Sequence, residues 1–415
     1  MVSKWQWLLH QLGRTLWVRA SLFAVLAVVT ALAAIAVEDL LPEKLPVSIT
    51  REDVEHILDI LATSMLAVTT FSLSVMVSAY SAATSSVTPR AARLLQQDTT
   101  TQNVLSTFIG SFLFSLVGIV ALSTGYYGEA GRLVLFVVTL AVILLIVVTI
   151  LRWIEHLTHL GRVSETTDKV EEATLAAIKA RIDNPSLGAR PWTANDKIPD
   201  SARAVYADSV GYVQHLDVEA LSDCIGDGDG EIIVASLPGT FVHATCALAW
   251  VRGIEGDDKL CAIRKAFTLG RERSFDQDPR FGLSVLAEIA SRALSPAVND
   301  PGTAIDVIGR AVRLFSHFPA DADSSHSKEI KYPQVWVPVL VIDDLFDDIF
   351  RPIARDGAGM FEVQMRLQKA LVALSGCGRE EFRTNARRHS SMALQHGEQA
   401  LTLEEEKQPL RALAL

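Results

Sequence analysis

The chain has few cysteines, no surplus of positive charge and none of the short motifs that mark common catalytic sites. Its four cysteines, Cys224, Cys246, Cys261 and Cys377, all fall in the later part of 415 residues. None forms a CxxC pair or a zinc spacing, so they read as reduced, mostly buried thiols rather than a disulfide framework or metal centre. Lys and Arg number 38 against 48 Asp and Glu, and the net charge of −10 argues against nucleic acid as a partner. No P-loop, dinucleotide glycine fingerprint, nucleophile elbow or HExxH is present. The expectation is of a protein that is not an enzyme and needs no cofactor.

What the chain does have is apolar sequence. Hydrophobic residues make up 49% and charged residues 21%, and mean hydropathy is +0.27. Four apolar runs of spanning length, Trp17–Val37, Ile57–Tyr80, Val104–Thr124 and Leu133–Ile154, fall in the first 155 residues. Lys4, Arg14 and Arg19 precede the first run, Arg90 and Arg93 follow the second, and Arg152, Arg162 and Lys169 follow the fourth. By the positive-inside rule both termini are cytoplasmic. Trp5, Trp7, Trp17 and Trp153 then fall at the inner interface and Tyr126 and Tyr127 at the outer one. Ala34-Ile35-Ala36 would suit a cleavable leader, but the charged segment before it is long for one, and a retained span is expected.

The remaining sequence reads as an ordinary globular one. The expected organisation is a membrane α-helical domain over 1–155 with four transmembrane helices, a helical extension over 156–183 and a Pro/Gly-rich linker over 184–200. A β-rich cytoplasmic unit over 201–259, an α-rich domain over 260–395 and a flexible tail over 396–415 follow. Short strands punctuated by Gly and Asp make the β-rich unit a small barrel or sandwich, so the cytoplasmic region is of the α+β class. Asp278-Pro279 and Asp300-Pro301 each pair an N-cap carboxylate with proline at the first helical position.

The Ser-rich second run with Thr88-Pro89-Arg90, the run Ala293-Leu294-Ser295-Pro296-Ala297-Val298-Asn299-Asp300-Pro301, and Gln277-Asp278-Pro279 with Phe281-Gly282 together resemble a bacterial family of predicted membrane proteins of unknown function, of the domain-of-unknown-function 2254 type. The resemblance covers most of the chain and implies a bacterial inner membrane and a common architecture. It implies no activity.

The second run carries the most informative pattern. Thr63, Ala67, Thr70, Ser74, Ser78, Ser81, Ser85 and Thr88 recur every third or fourth residue, placing seven hydroxyls on one helical face. At about 1.5 Å per residue the stripe runs roughly 37 Å, enough to cross a bilayer. One reading is a pore: several copies of the chain surround a path for ions or small solutes, with Thr63, Thr70, Ser74, Ser78, Ser81 and Ser85 lining it. Asp59 at one mouth and Arg90 and Arg93 at the other would supply charge. The competing reading is close helix packing, with each hydroxyl satisfied by the carbonyl four residues back. In the first case the protein is a homo-oligomeric channel-like protein with a cytoplasmic regulatory domain. In the second it is a membrane-anchored scaffold or sensor with a cytoplasmic ligand- or protein-binding domain and no pore.

Two further groups stand out. His156 and His159 sit one turn apart after the fourth run, a weak metal or pH-sensing pair. Arg292, Ser295, Asn299 and Asp300 surround a rigid loop before a helix, where backbone amides and a guanidinium could hold an anion; Asp300 itself fits an N-cap better. Asp227-Gly228-Asp229-Gly230-Glu231 lacks the spaced ligands of a calcium loop and reads as a turn.

Overall fold

A computed structural model describes residues 50–415 apart from 97, 125–128, 159–160, 194, 227 and 321–328, together with isolated positions between 18 and 33. It divides into two units, 8–165 and 166–415.

In the first unit, Thr50 and Asp53 form a reciprocal capping box that starts helix α1, Arg51–Ser86. Pro89 ends it. Proline has no N–H to donate and restricts Thr88 before it, so the chain restarts as the short helix α2, Pro89–Gln96, whose Ala91 N–H donates to the Thr88 hydroxyl at 3.2 Å. Helix α3, Thr99–Ser123, follows from an Asp98 cap, and α4 covers Glu129–Leu157. Helices α1, α3 and α4 are each long and apolar enough to cross a membrane. The first apolar run, expected at 17–37, lies mostly outside the described residues; Val18, Leu22, Val25 and Val29 within it are helical. Leu58, Leu122 and Leu135 form one apolar cluster of the unit, and Met65, Phe108, Ile146 and Trp153 another. Trp153 is buried within the unit, and its ring stacks on His156 at 5.7 Å.

The helical extension expected to continue the fourth span is broken. Helix α4 ends at Leu157, and Gly161 takes φ +83°, a left-handed conformation that side-chain-bearing residues rarely adopt. A new helix, α5, then covers Val163–Asp183.

The second unit is mixed α/β. Strands β1 (Ala189–Trp192), β2 (Arg203–Tyr206), β4 (Glu231–Val234), β6 (Ala247–Arg252) and β8 (Tyr332–Pro338) form a sheet in the order β1-β8-β4-β6-β2. Strand β8 runs parallel to both β1 and β4, while the β4–β6 and β6–β2 pairs are antiparallel. Strands β3 (Gly211–Leu216), β5 (Phe241–Val242) and β7 (Phe267–Gly270) form a separate antiparallel sheet. The self-contained small barrel or sandwich expected over 201–259 is not what the strands build: among the described residues they close no barrel and fall into two sheets that draw on strands outside that range. The reason is long-range pairing. Strand β8 arrives from beyond residue 330 to sit inside the larger sheet, β7 joins from beyond 259, and β1 comes from the stretch expected to be linker.

Helices α6 (Val218–Ile225) and α7 (Asp257–Ala266) cover the strands through Leu221, Ile225, Leu260 and Ile263. Helices α8 (Pro279–Ala293), α9 (Pro301–Phe315), α10 (Ile342–Asp356), α11 (Phe361–Ser375) and α12 (Glu380–Ala400) form a helical layer. Its centre is aromatic: Phe315 meets Phe346 at 4.7 Å and Phe382 at 5.6 Å between ring centroids, edge and tilted contacts that add about 0.5–1.5 kcal/mol each beyond area burial. Residues 396–415 are not a frayed tail. Leu401 and Leu410 are buried, and helix α13, Glu404–Leu413, is docked, with Arg411 paired to Glu398 and Glu404. The cysteines are also less buried than expected: Cys261 is exposed and the other three are half-buried.

His389 on α12 is almost fully enclosed, at 1% exposure, beside Phe346 and Phe350. Burial lowers its pKa from 6.5 to about 4, Arg388 adds to the shift, and Asp347 opposes it. The ring is neutral in the folded chain at pH 5, where the unfolded chain binds a proton. Its contribution to stability is intact above about pH 6.5 and is lost toward pH 4, at about 1.4 kcal/mol per pH unit. We expect the denaturation midpoint of the full chain to fall with acid over this window, and His389→Gln to flatten that limb. An equally steep limb in the variant would assign the acid sensitivity to other groups.

Candidate functional site

Among the described residues, the hydroxyl stripe of α1 faces away from α3 and α4. Val54, Leu58, Leu61, Ala62, Met65, Ser72 and Ala83 are buried and recur at helical spacing on one side. Thr63, Thr70, Ser74, Ser78, Ser81 and Ser85 are all exposed on the other side. Their donors are partly satisfied within the helix: Thr70 donates to Leu66 O at 2.9 Å, Ser74 to Thr70 O at 3.0 Å, Ser78 to Ser74 O at 3.0 Å and Ser85 to Ala82 O at 2.8 Å. A hydroxyl has one proton but two lone pairs, so each such side chain still offers its oxygen outward. Thr88, by contrast, is buried and caps α2.

Packing inside the unit uses a second row, on α3, that the sequence reading overlooked. Thr107, Ser111 and Ser115 are buried, each donating to the carbonyl four residues back at 2.7–2.9 Å. Together with the buried Gly110 and Gly118 they are the small residues that let membrane helices approach. Its signal was the same four-residue spacing, masked by a more apolar helix.

At the ends of the stripe, Asp59 and Arg90 are exposed and Arg93 is half-buried. His156 does not meet a second histidine within the described residues, since His159 lies outside them. Instead His156 Nε2 is 3.0 Å from Asp98 Oδ2 and 3.1 Å from Thr101 Oγ1. Asp98 also accepts the Thr101 N–H at 2.8 Å and its hydroxyl at 2.7 Å. An ionised carboxylate only accepts, so Nε2 carries the hydrogen in this arrangement. The cluster closes α4 onto the start of α3. Among the described residues no group of three His, Cys, Asp or Glu could hold a metal ion.

Arg292, Ser295, Asn299 and Asp300 are brought together in the loop from α8 to α9. The Ser295 hydroxyl donates to Arg292 O at 2.6 Å, and Asn299 is left-handed at φ 52°. Asp300 accepts the Thr303 hydroxyl at 2.6 Å and its N–H at 3.1 Å, and these bonds hold its pKa below the usual carboxylate range. Ser295 and Asp300 are thus spent on local structure. The equivalent cap at Asp278 accepts the Phe281 N–H at 3.1 Å and a two-pronged contact from Arg273 at 2.8 and 3.0 Å.

Sequence reasoning missed Arg181, Ser186 and Arg379. They line a cavity of about 380 Å³ in the second unit, between the end of α5, strand β1 and the chain beyond β8. No motif announces them; Arg181 looks like any cation in the last turn of a helix.

Three apolar helices of spanning length, carried in one chain with a mixed α/β unit, define a predicted membrane protein. The chain belongs to the predicted membrane protein family DUF2254, whose pattern matches residues 13–373. It is 27% identical over 275 residues to the uncharacterized protein Rv1290c of Mycobacterium tuberculosis and to the uncharacterized protein Mb1321c of Mycobacterium bovis. Each match covers 64% of this chain and 52% of the relative, so the chain spans about half the length of the curated relatives it matches. No solved structure matches it.

Asp98 both caps α3 and holds His156. We expect Asp98→Ala to raise hydrogen exchange at the Thr101 amide and to cost on the order of 1 kcal/mol as a lost cap, with further loss from the freed histidine. Asp98→Asn, which can still cap, should protect that amide. Equal exchange in both variants would place the cluster's value in its charge alone.

Proposed function

We propose that the protein is a four-span, homo-oligomeric channel-like protein of the bacterial inner membrane, with both termini in the cytoplasm. Ions or small solutes pass along a path lined by Thr63, Thr70, Ser74, Ser78, Ser81 and Ser85 of α1. Arg90 and Arg93 ring one mouth and Asp59 the other. The 166–415 unit is cytoplasmic and regulates the path. No enzymatic step is assigned to it.

One observation carries this reading: the hydroxyl row on α1 faces outward, while packing inside the unit is served by the buried row on α3. A face of hydroxyls running the depth of a bilayer gains little from lipid tails. Around an axis it offers oxygen to water and ions. The alternative is a membrane-anchored scaffold or sensor without a pore. The carbonyl bonds of Thr70, Ser74 and Ser78 favour it, because they make the stripe tolerable against lipid or a neighbouring copy.

The test is current across a planar bilayer holding the purified full chain. We expect discrete unitary currents, reduced at least tenfold in a Ser74→Leu, Ser78→Leu double variant that keeps the wild-type oligomer. Currents of unchanged size in that variant would place the path elsewhere. A wild type that reconstitutes as an oligomer and stays silent under voltage and tension would favour the scaffold.

A further inference from the structure

The cavity of the 166–415 unit holds a buried cation with little to balance it. Arg181, in the last turn of α5, is only 7% exposed. Its Nη2 donates to Pro338 O at 3.4 Å, while its Nε and Nη1 are buried with no hydrogen-bond partner. Burial lowers its pKa to about 10, so it stays protonated at neutral pH, and Asp278 acts on it only through its field. That carboxylate is already engaged by Arg273 on both oxygens. An enclosed guanidinium normally has its donors paired, because stripping it of water is costly.

A second unpartnered donor lies in the same wall. The Ser186 hydroxyl is buried and bonded to nothing. Ser186 and Leu187 both take left-handed conformations, φ 49° and 56°, in the turn that joins α5 to β1. Non-glycine residues held there carry strain that collects at binding and switch sites. Arg379, whose Nε is also buried without a partner, is set beside the rings of Phe318 and Phe382 and donates to Glu381 at 3.1 Å.

We infer that this cavity binds a small organic carboxylate, whose headgroup is held by Arg181 and the Ser186 hydroxyl and whose apolar body lies against Phe318, Ile330 and Leu340. A carboxylate presents two acceptor oxygens in the plane of a guanidinium fork. The volume, about 380 Å³, suits a small molecule, and much of the lining is aliphatic or aromatic. The exposed carboxylates Asp183, Glu329 and Glu381 at the lining oppose a multiply charged anion. A monoanion with an apolar tail fits this arrangement better than phosphate does. The inference stands on the cavity alone and does not rest on the pore.

The test is calorimetric titration of the full chain in lipid nanodiscs, corrected against empty discs, with hexanoate, its neutral amide hexanamide, and inorganic phosphate. Hexanoate should bind once per chain, at least tenfold more tightly than hexanamide or phosphate. Arg181→Met should weaken hexanoate at least tenfold, and Ser186→Ala should weaken it several-fold. Should Arg181→Met fail to fold, Arg181→Lys takes its place and should weaken binding through loss of the planar fork. Hexanoate bound equally by the wild type and the Arg181 variant would overturn the assignment. So would phosphate binding without hexanoate, or no binding of any of the three. Because heat is read and not current, a silent channel leaves this outcome unaffected.

Discussion

One buried guanidinium ties helix α5 to the helical layer of the second unit. Arg310 of α9 is nearly enclosed and bonds Asp168 at 2.5 Å and Glu171 at 2.7 Å on α5, and Asp306 on its own helix at 2.6 Å. Arg313 closes on Glu171 from the other side at 2.8 and 2.9 Å. Burial alone would raise the Glu171 pKa, but Arg313 and Arg310 hold it below the usual value. Within this group only Arg310 and Glu171 are enclosed; Asp168, Asp306 and Arg313 are about half exposed, so losing one of them costs little, while losing Arg310 strips Glu171 of its inner partner. One turn further along α5, Thr174 meets α8 at Gly282, where any added Cβ would fall 2.0 Å from the Thr174 hydroxyl. Charge and close approach together set the position at which α5 delivers Arg181.

The same helix therefore touches two buried arginines in opposite states. Arg310 has three carboxylates; Arg181 has one weak carbonyl contact and a distant, occupied Asp278. The hydroxyl rows of the first unit show a parallel contrast. Thr107, Ser111 and Ser115 on α3 are buried in packing, whereas the chemically similar row on α1 faces out. In each pair one member explains how the fold holds together, and the other is the one that the proposed partner would engage.

Much of this was legible in the sequence where the cause is local. Runs of apolar residues at spanning length mark α1, α3 and α4, and Asp278-Pro279 and Asp300-Pro301 mark two helix starts. The periodicity of the hydroxyls fixed their common face, although not which way it points. What was hidden depends on distant pairing. Strand β8 reads as an isolated apolar run until β1 and β4 are placed beside it. Helix α10 contains Pro352 and an acidic first turn, which obscure a face of Leu345, Phe346, Ile349, Phe350 and Ile353. Arg181 and Asp98 gain their significance only from burial, which no single segment encodes.

The position of β8 also sets a timetable. A strand lying between β1 and β4 cannot take its place until residues 332–338 have left the ribosome, long after its neighbours and, at 5–20 residues per second, several seconds after β6. Until then β1 has no strand partner and β4 exposes one unpaired edge. Synthesis thereby orders folding: the larger sheet of the α/β unit is complete only when its late-made interior strand β8 arrives.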